Sequence, residues 1–311
     1  MKAHRILGKL IGTKGDLPPA DNHLTIFISQ VIRGYIRSTL RTLYRKLTPE
    51  RARLILWIIR RANSLSKSDL LRTQQAFLNP SVMGMHGHPF TFFEDGLATI
   101  HNCDFLSDRR FLDALALAEQ TNSWKGWPMR WRAYVVCWCA EYASRLAGDF
   151  VECGVYKGGF ARMIINYADL GNSGKNLHLF DTFKGFAPEL LRPEEVGVID
   201  YYEYSDCLEE VKKTFAPFPF IDIVAGPVPQ TLPSVEIEKV CFLSIDMNCV
   251  EPEIAAAEFF WPKMVSGAVM VLDDYGQSRH TAQKIAFDDF AKARGVSVLC
   301  LPTSQGLIFK Q

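Results

Sequence analysis

The feature that most constrains the fold is an alternation of apolar runs with segments of helical periodicity over residues 130–311. The runs DFVEC, LHLFD, VCFLSID and GAVMVLDD are separated by stretches such as GGFARMIINYADLG and PEIAAAEFFWPKMVSG. Such runs are typical of strands buried on both faces, and their alternation with helices predicts an α/β fold with a mostly parallel, doubly wound sheet. The final runs, VSVLC and GLIFK, are expected to form a C-terminal antiparallel hairpin.

Carboxylates lie where four of the predicted strands end. Glu152 lies at the end of the first strand, Asp181 and Asp246 end two later strands, and the pair Asp273-Asp274 ends another. The carboxyl ends of parallel strands share one edge of the sheet, and ligands bind at that edge near the point where the strand order reverses. Because burying an unpaired charge is costly, we expect these acids to face a ligand or a counter-ion.

The segment VECGVYKGG is a glycine-rich turn between a predicted strand and a predicted helix. Its spacing, E-x-G-x-x-x-G-G, differs from the G-x-G-x-x-G of dinucleotide-binding folds, which disfavours an NAD-dependent dehydrogenase. It resembles motif I of class I S-adenosylmethionine-dependent methyltransferases, in which the acid and the glycines hold the methionine and ribose end of the cofactor. A second acid, here Asp181, takes the place of the one that pairs with the ribose hydroxyls. The residues that this resemblance assigns to the cofactor are Glu152, Gly154, Tyr156, Gly158, Gly159, Asp181 and Thr182.

A longer series of motifs resembles one family. In order, these are VECGVYKGG, LFDTFKGF, AGPVPQTLP, SIDMNCVEPE and VLDDYG, and together they resemble the macrocin O-methyltransferase family over about residues 130–311. Those proteins are S-adenosylmethionine-dependent, metal-assisted sugar O-methyltransferases of antibiotic biosynthesis. The resemblance implies a Rossmann-like class I methyltransferase fold and methyl transfer to a hydroxyl of a sugar or a glycosylated small molecule.

The resemblance also implies a magnesium site at Asp246, Asp273 and Asp274. If the two strands that carry these acids are neighbours, three carboxylates would repel one another unless a cation lay between them. Oxygen ligands with open positions suit Mg²⁺, which could hold two adjacent hydroxyls and make one more acidic. The alternative is that one acid of the pair caps the following helix and the other is solvated.

The sequence departs from the family at the expected general base. The family pattern reads D-x-D, and its second Asp is the proposed base, whereas this chain has Asn248 at that position. Histidine is suited to proton removal near neutral pH, and His280 follows Asp274 by six residues, at the start of the next predicted helix. His280 is therefore our candidate base; the alternatives are a helix-start histidine without a catalytic role, or a different chemistry.

The charge of the chain is divided unevenly. Residues 1–75 contain 15 Lys and Arg against 4 Asp and Glu, while the rest contains 20 against 30. Residues 24–62 place Lys and Arg among apolar residues with helical spacing. They would form either a peripheral membrane contact or a helical hairpin that packs on the main domain or on another subunit, as in a homo-oligomer. A net charge of +1 does not favour a nucleic acid partner.

We therefore expect three parts: a basic helical extension over residues 1–78, a lid and acceptor-pocket segment over 79–129, and a catalytic domain over 130–311. Eight cysteines without a C-x-x-C pair, an N-terminus unlike a signal peptide and short apolar stretches predict a cytoplasmic protein, with membrane association left open. Two other functions remain open: a methyltransferase acting on a lipid or a phenol, and a binding or scaffold protein with weak or no catalysis.

Overall fold

The computed structural model describes residues 90–196 and 204–311. The predicted basic extension, the membrane or packing role of residues 24–62, and the first part of the predicted lid segment all lie outside the described residues. Among the helices that are described, none combines the length and apolar character needed to cross a bilayer.

The described chain opens with a hairpin and two helices and then alternates strands with helices. The first elements are β1 (Phe92–Glu94), β2 (Leu97–Thr99), α1 (Arg109–Glu119) and α2 (Arg130–Ala143). The next are β3 (Asp149–Cys153), α3 (Gly159–Tyr167), α4 (Leu170–Ser173), β4 (Leu177–Asp181), α5 (Leu208–Phe215) and β5 (Ile221–Ala225). The last are β6 (Val240–Ile245), α6 (Val250–Phe260), β7 (Met264–Leu272), α7 (Thr281–Ala293), β8 (Leu299–Cys300) and β9 (Gly306–Phe309).

The main sheet has seven strands in the order β5-β4-β3-β6-β7-β9-β8. The first five are parallel, and β9 pairs antiparallel with both β7 and β8. The predicted α/β fold and C-terminal hairpin are therefore confirmed. The strand order reverses beside β3, which places the ligand-binding crevice of such a sheet at the carboxyl ends of β3 and β6.

Alternate side chains of the central strands pack into two hydrophobic cores, one on each face of the sheet. Phe150 and Phe242 pack with α1, α2 and α3 on one face, whereas Val151 and Leu243 pack with α6 and α7 on the other. Phe111 of α1 is fully buried in the first core. The later part of the predicted lid segment therefore contributes to the packed body of the domain.

Strand register sets the carboxyl edge of the sheet. Cys153 pairs with Ile245, and Ile245 pairs with Leu272, so these strands end in line. The next residue of each strand continues the ladder: Asp246 donates its backbone N–H to Cys153, and Asp273 donates its own to Ile245. Two acids of different strands thereby come to lie side by side.

Candidate active site

Three aspartates meet at the edge formed by β6 and β7. One carboxylate oxygen from each of Asp246, Asp273 and Asp274 lies within 4.8 Å of the other two. Asp273 is buried, so it is not the solvated acid of the helix-cap alternative. Neither acid of the pair caps α7, because His280 occupies the N-cap without a side-chain cap hydrogen bond, and that alternative is wrong. Metal binding by the three acids stays a prediction.

A buried arginine that sequence reasoning missed joins these acids to the β1–β2 hairpin. Arg132 of α2 donates to Asp273 at 2.6 Å and to Asp274 at 3.3 Å through Nη1. Its Nε and Nη2 donate to the two carboxylate oxygens of Asp95, at 3.0 and 3.3 Å. Asp95 lies in the Asp-Gly turn of the hairpin, where both residues have positive φ, as tight hairpin turns require.

One sequence signal could have identified Arg132. It precedes the buried residues Ala133, Val136 and Ala140 on the helix and shares their buried face, with only 5% of its surface exposed. A charged residue at a core-facing helical position requires a partner, which makes it a marker of a buried ion pair. The partners themselves lie 37 and 141 residues away and have no local signal.

The electrostatics of this edge are dominated by burial of like charges. Burial raises the pKa of Asp273 to about 6, although Arg132 acts against the shift. Burial also raises the pKa of Asp246 well above its usual value, and Asp273 and Asp274 add to the effect. Burial alone would lower the pKa of Arg132, but Asp273, Asp95 and Asp274 raise it well above its usual value. One guanidinium thus balances the carboxyls of Asp95, Asp273 and Asp274. The oxygens of Asp246, Asp273 and Asp274 form a donor set suited to a hard divalent cation.

At the neighbouring turn, Asp181 holds the glycine-rich segment in place. One oxygen of its carboxylate accepts the backbone N–H groups of Val155 and Tyr156, both at 2.7 Å. The other accepts the N–H of Phe183 at 2.6 Å and lies 3.3 Å from the hydroxyl of Thr182. These bonds explain why an acid ends β4, whether or not it also meets a ribose, and its ribose contact stays a prediction.

Glu152 differs from Asp181 in that part of its carboxyl is unsatisfied. The residue is 2% exposed, and its Oε2 has no hydrogen-bond partner among the residues that the structure describes. Burial raises the pKa of Glu152 well above its usual value, and Asp181 and Asp273 raise it further. A buried polar atom left unsatisfied is costly, so this carboxyl suits a donor supplied by a bound molecule.

The three glycines of the turn are required by packing. A Cβ on Gly154 would lie 1.9 Å from the carbonyl oxygen of Asp246, and the residue has φ of +91°. A Cβ on Gly158 would lie 2.5 Å from the ring of Phe215, and one on Gly159 would lie 2.9 Å from Ser123. A side chain at Gly154 would therefore displace the backbone that carries Asp246 before it could affect a bound molecule.

Tyr156 and Thr182 border the same turn. The ring of Tyr156 packs edge-on against Tyr204 with centroids 5.0 Å apart, and the hydroxyl of Thr182 donates to the carbonyl of Gly185. The roles predicted for Tyr156, Thr182 and the three glycines in cofactor binding stay predictions.

Asn248 lies beside the three aspartates as a hydrogen-bond donor. Its Nδ2 is 3.3 Å from Asp246 Oδ1 and 3.5 Å from the hydroxyl of Tyr204. Its Oδ1 is buried and has no partner within the described part of the chain. The amide of Asn248 thus donates to a carboxylate of the cluster, and its catalytic role stays a prediction.

His280, the candidate base, also lies at the cluster. It is 3% exposed, and its Nε2 lies 3.6 Å from Asp274 Oδ2. Its Nδ1 lies 2.5 Å from Oε1 of Gln283, one turn further along α7. The structure therefore places the ring between a carboxylate of the cluster and a buried amide, and its catalytic role stays a prediction.

Glu253 is a second residue that sequence reasoning missed. It lies in the first turn of α6, is 5% exposed, and its Oε1 accepts the backbone N–H groups of Met247 and Asn248 at 3.0 and 2.9 Å. The same oxygen accepts Nε2 of Gln283 at 3.0 Å. Burial raises the pKa of Glu253 to about 8. The signal available in the sequence is an acid near a predicted helix start, which often accepts N–H groups that precede the helix.

Comparison with known proteins places the chain in a family. A 4'-O-methyltransferase of Streptomyces olivaceus that acts on 8-demethyl-8-(2,3-dimethoxy-alpha-L-rhamnosyl)-tetracenomycin-C is 25% identical over 179 residues. The match covers 51% of this chain, and the chain spans 65% of the length of that relative. The solved structure of the O-methyltransferase NovP has a TM-score of 0.51 at 20% identity, covering 62% of this chain and 88% of NovP, which shows a shared class I O-methyltransferase fold. The model of the macrocin O-methyltransferase (TylF) family matches residues 131–300, more than half of the chain, and the protein therefore belongs to that family.

Proposed function

We propose that the protein transfers the methyl group of S-adenosylmethionine to a hydroxyl of a sugar or a glycosylated small molecule, assisted by Mg²⁺. The observation that carries the proposal is the cluster of Asp246, Asp273 and Asp274, whose oxygens lie within 4.8 Å of one another at the carboxyl ends of β6 and β7, beside the switch point of the sheet. The choice of a sugar acceptor is supported by the Streptomyces olivaceus relative, whose described substrate carries a rhamnosyl group.

The residues of the glycine-rich turn fit S-adenosylmethionine, whose sulfonium supplies the methyl group. The unsatisfied Oε2 of Glu152 is an acceptor for the donors of the methionine end, next to a turn whose shape Asp181 fixes. Because a side chain at any of these glycines would meet Asp246, Phe215 or Ser123, the turn is closely packed, and a bound molecule would meet a preformed surface.

The residues of the acidic edge fit a divalent ion. Asp246, Asp273 and Asp274 would hold Mg²⁺, which would in turn orient the acceptor hydroxyl and make its proton more acidic. Arg132 orients Asp273 and Asp274 and offsets part of their charge, but it contributes one positive charge to three carboxyls, those of Asp95, Asp273 and Asp274. The remaining negative charge is what the ion would neutralise.

Proton removal from the acceptor is assigned to His280. The ring lies at the acidic edge, and Asn248, at the usual position of the base, donates to Asp246. An amide has no useful proton affinity, whereas imidazole has, so His280 is the better base of the two.

The proposal is tested with isotope-labelled S-adenosylmethionine, Mg²⁺ and a panel of rhamnosylated, phenolic and lipid acceptors, read by mass spectrometry. We expect one labelled methyl group on a sugar hydroxyl, and calorimetric binding of S-adenosylhomocysteine that Glu152→Gln weakens and Glu209→Gln, an exposed control, does not. Label on a phenol or a lipid would show that the acceptor belongs to that class and is not a sugar. Binding of S-adenosylhomocysteine without labelling of any acceptor would favour a binding or scaffold protein, and binding of NAD instead would refute the cofactor.

A further inference from the structure

One edge of the seven-stranded sheet has no further strand beside it in the part of the chain that the structure describes. β8 is the last strand in the sheet order and pairs with β9. The N–H of Leu301 donates to the carbonyl of Gln305 at 2.8 Å, on the β9 side. Because backbone groups of successive strand residues point to opposite sides, the N–H and C=O of Cys300 point away from β9. This edge therefore presents backbone hydrogen-bonding groups to a neighbouring chain.

The two edges of the sheet differ in charge. β5, at the opposite edge, carries the exposed carboxylate of Asp222. Residues 295–309, which include β8 and β9, contain no Asp, Glu, Lys, Arg or His. Charged side chains on an edge strand are a common protection against pairing with another chain. The β8 edge lacks that protection, and two copies of the same uncharged edge meet without repulsion between like charges.

Exposed apolar side chains lie beside this edge. Leu299 of β8 is opposite Leu307 of β9, and Phe309 follows two residues later, so all three point to the same face of the sheet. The ring of Tyr142 packs edge-on against Phe309 with centroids 5.9 Å apart, and Trp138 stacks on Tyr142 at 5.8 Å. Leu299, Trp138 and Phe309 are 56%, 46% and 37% exposed. We call Trp138, Tyr142, Leu299 and Phe309 the β8 strip, since they line one face from α2 to the outermost strand.

The size and the symmetry of this surface fit a second copy of the chain. The exposed parts of the β8 strip amount to on the order of 300 Å² of apolar surface, which is the size of a functional patch on a soluble protein. A stable dimer buries about 800 Å² per partner, with an apolar centre and a polar rim, so the strip can supply that centre. When two β8 edges pair antiparallel across a twofold axis, each copy offers the other the same donors, acceptors and apolar side chains.

We propose that β8 and the β8 strip form a twofold interface with a second copy of this chain, in which the two β8 edges pair antiparallel and the sheet continues across the dimer. A strongly acidic or basic partner is disfavoured, because residues 295–309 offer no charge to pair with it. The inference does not depend on the proposed methyl transfer, since neither the strand edge nor the strip includes a residue assigned to that reaction.

Sedimentation equilibrium of the full chain tests the dimer. We expect twice the mass of one chain, with dissociation on dilution. Leu299→Lys adds a charge to both copies of the interface, where the two lysines repel each other, and should raise the Kd of the dimer at least about 100-fold. The matched control is Ile285→Lys, since Ile285 is an aliphatic residue of α7 with 57% exposure, nearly that of Leu299. It should leave the Kd at the wild-type value.

Cysteine cross-linking locates the interface. All eight cysteines are among the described residues, and Cys300 of β8 is the exposed one. A short bis-maleimide should join two wild-type chains or two Ile285→Lys chains, and it should fail to join two chains of Cys300→Ser or, at the same concentration, of Leu299→Lys. A wild type that stays monomeric at every concentration, equal Kd values for Leu299→Lys and Ile285→Lys, or a cross-link that survives Cys300→Ser would each overturn the inference.

Discussion

At the turn after β3, the carboxylate of Asp181 accepts three backbone N–H groups, whereas beside β6 and β7 the single guanidinium of Arg132 serves three carboxyls, those of Asp95, Asp273 and Asp274. The two regions are adjacent in the sheet and differ in how their charge is balanced. Asp181 is satisfied by the fold itself, so it is a structural element of the turn. The acidic edge keeps negative charge that the described protein groups do not neutralise, which is the property of a cation site.

Among the variants that separate the two regions, removing a proposed metal ligand should have the largest effect, and the effect should be on turnover. Asp246→Asn or Asp273→Asn keeps the side-chain shape but leaves the ion with fewer charged ligands. We expect kcat to fall by about 10²- to 10⁴-fold, comparable to the loss of a group that acts directly in the reaction. Binding of S-adenosylhomocysteine, measured by calorimetry, should stay within about twofold, which is about 0.4 kcal/mol. The reason is that the cofactor is expected at the glycine-rich turn and not at the acidic edge.

The control for the ligand variants is Asp289→Asn, which removes an exposed carboxylate from α7. It should leave both turnover and cofactor binding at the wild-type level. Equal loss of cofactor binding and turnover in Asp273→Asn would mean that the acidic edge and the glycine-rich turn form one site and are not separable.

Replacing Arg132 should show how much of the charge at this edge the protein balances itself. Arg132→Met leaves Asp95, Asp273 and Asp274 buried without their cation, which should cost about 3–5 kcal/mol in the free energy of unfolding. Saturating Mg²⁺ should recover part of that loss, since an ion at 100 times its Kd contributes about 2.7 kcal/mol. Urea unfolding with and without Mg²⁺ measures both.

The matched control is Arg109→Met, since Arg109 forms an ion pair with Asp113 in which the arginine side chain is 86% exposed. It should change the free energy of unfolding by less than about 0.5 kcal/mol. If Mg²⁺ stabilises Arg132→Met no more than it stabilises this control, the charge of the edge is not what attracts the ion.

Replacing Asp181 at the glycine-rich turn should lower the free energy of unfolding by less than replacing Arg132, and the loss should not depend on Mg²⁺. Asp181→Asn replaces one acceptor oxygen with an NH₂ group, which opposes backbone N–H donors. The loss should be about 1–3 kcal/mol in the free energy of unfolding, the cost of leaving a buried donor unsatisfied. If Mg²⁺ stabilised Asp181→Asn more than it stabilises the wild type in urea unfolding, the assignment of Asp181 to a structural role would be contradicted.

The strands and the acids at their ends could be predicted from the sequence, whereas the contacts between residues far apart in the chain could not. The order of strands and the acids at their ends follow from apolar runs and from the geometry of parallel sheets, so the meeting of Asp246 with Asp273 was predictable. Arg132 was not assigned, because its partners lie on a hairpin and on a strand far along the chain. The packing role of Gly154 was missed for a similar reason. The backbone of Asp246, which leaves no room for a side chain at Gly154, is adjacent to it only in the folded sheet.

The smallest effect is expected from restoring an acid at position 248. Asn248→Asp places a fourth carboxylate about as close to Asp246 as the present amide. Mg²⁺ affinity should rise by less than about tenfold, which is about 1.4 kcal/mol. If His280 is the base, kcat should hardly change, and His280→Ala should be the damaging variant. A gain in kcat of about 10²-fold, the usual contribution of a general base, would show that the base is missing in the wild type.

The most direct test of the account is a titration of the metal-free protein with Mn²⁺, which takes the same oxygen ligands as Mg²⁺ and is followed by water-proton relaxation. The account predicts one Mn²⁺ ion per chain, displaced by Mg²⁺, with binding lost in Asp246→Asn and kept in Asp289→Asn. No bound ion in the wild type, or equal binding in Asp246→Asn, would contradict the claim that Asp246, Asp273 and Asp274 form a divalent-metal site.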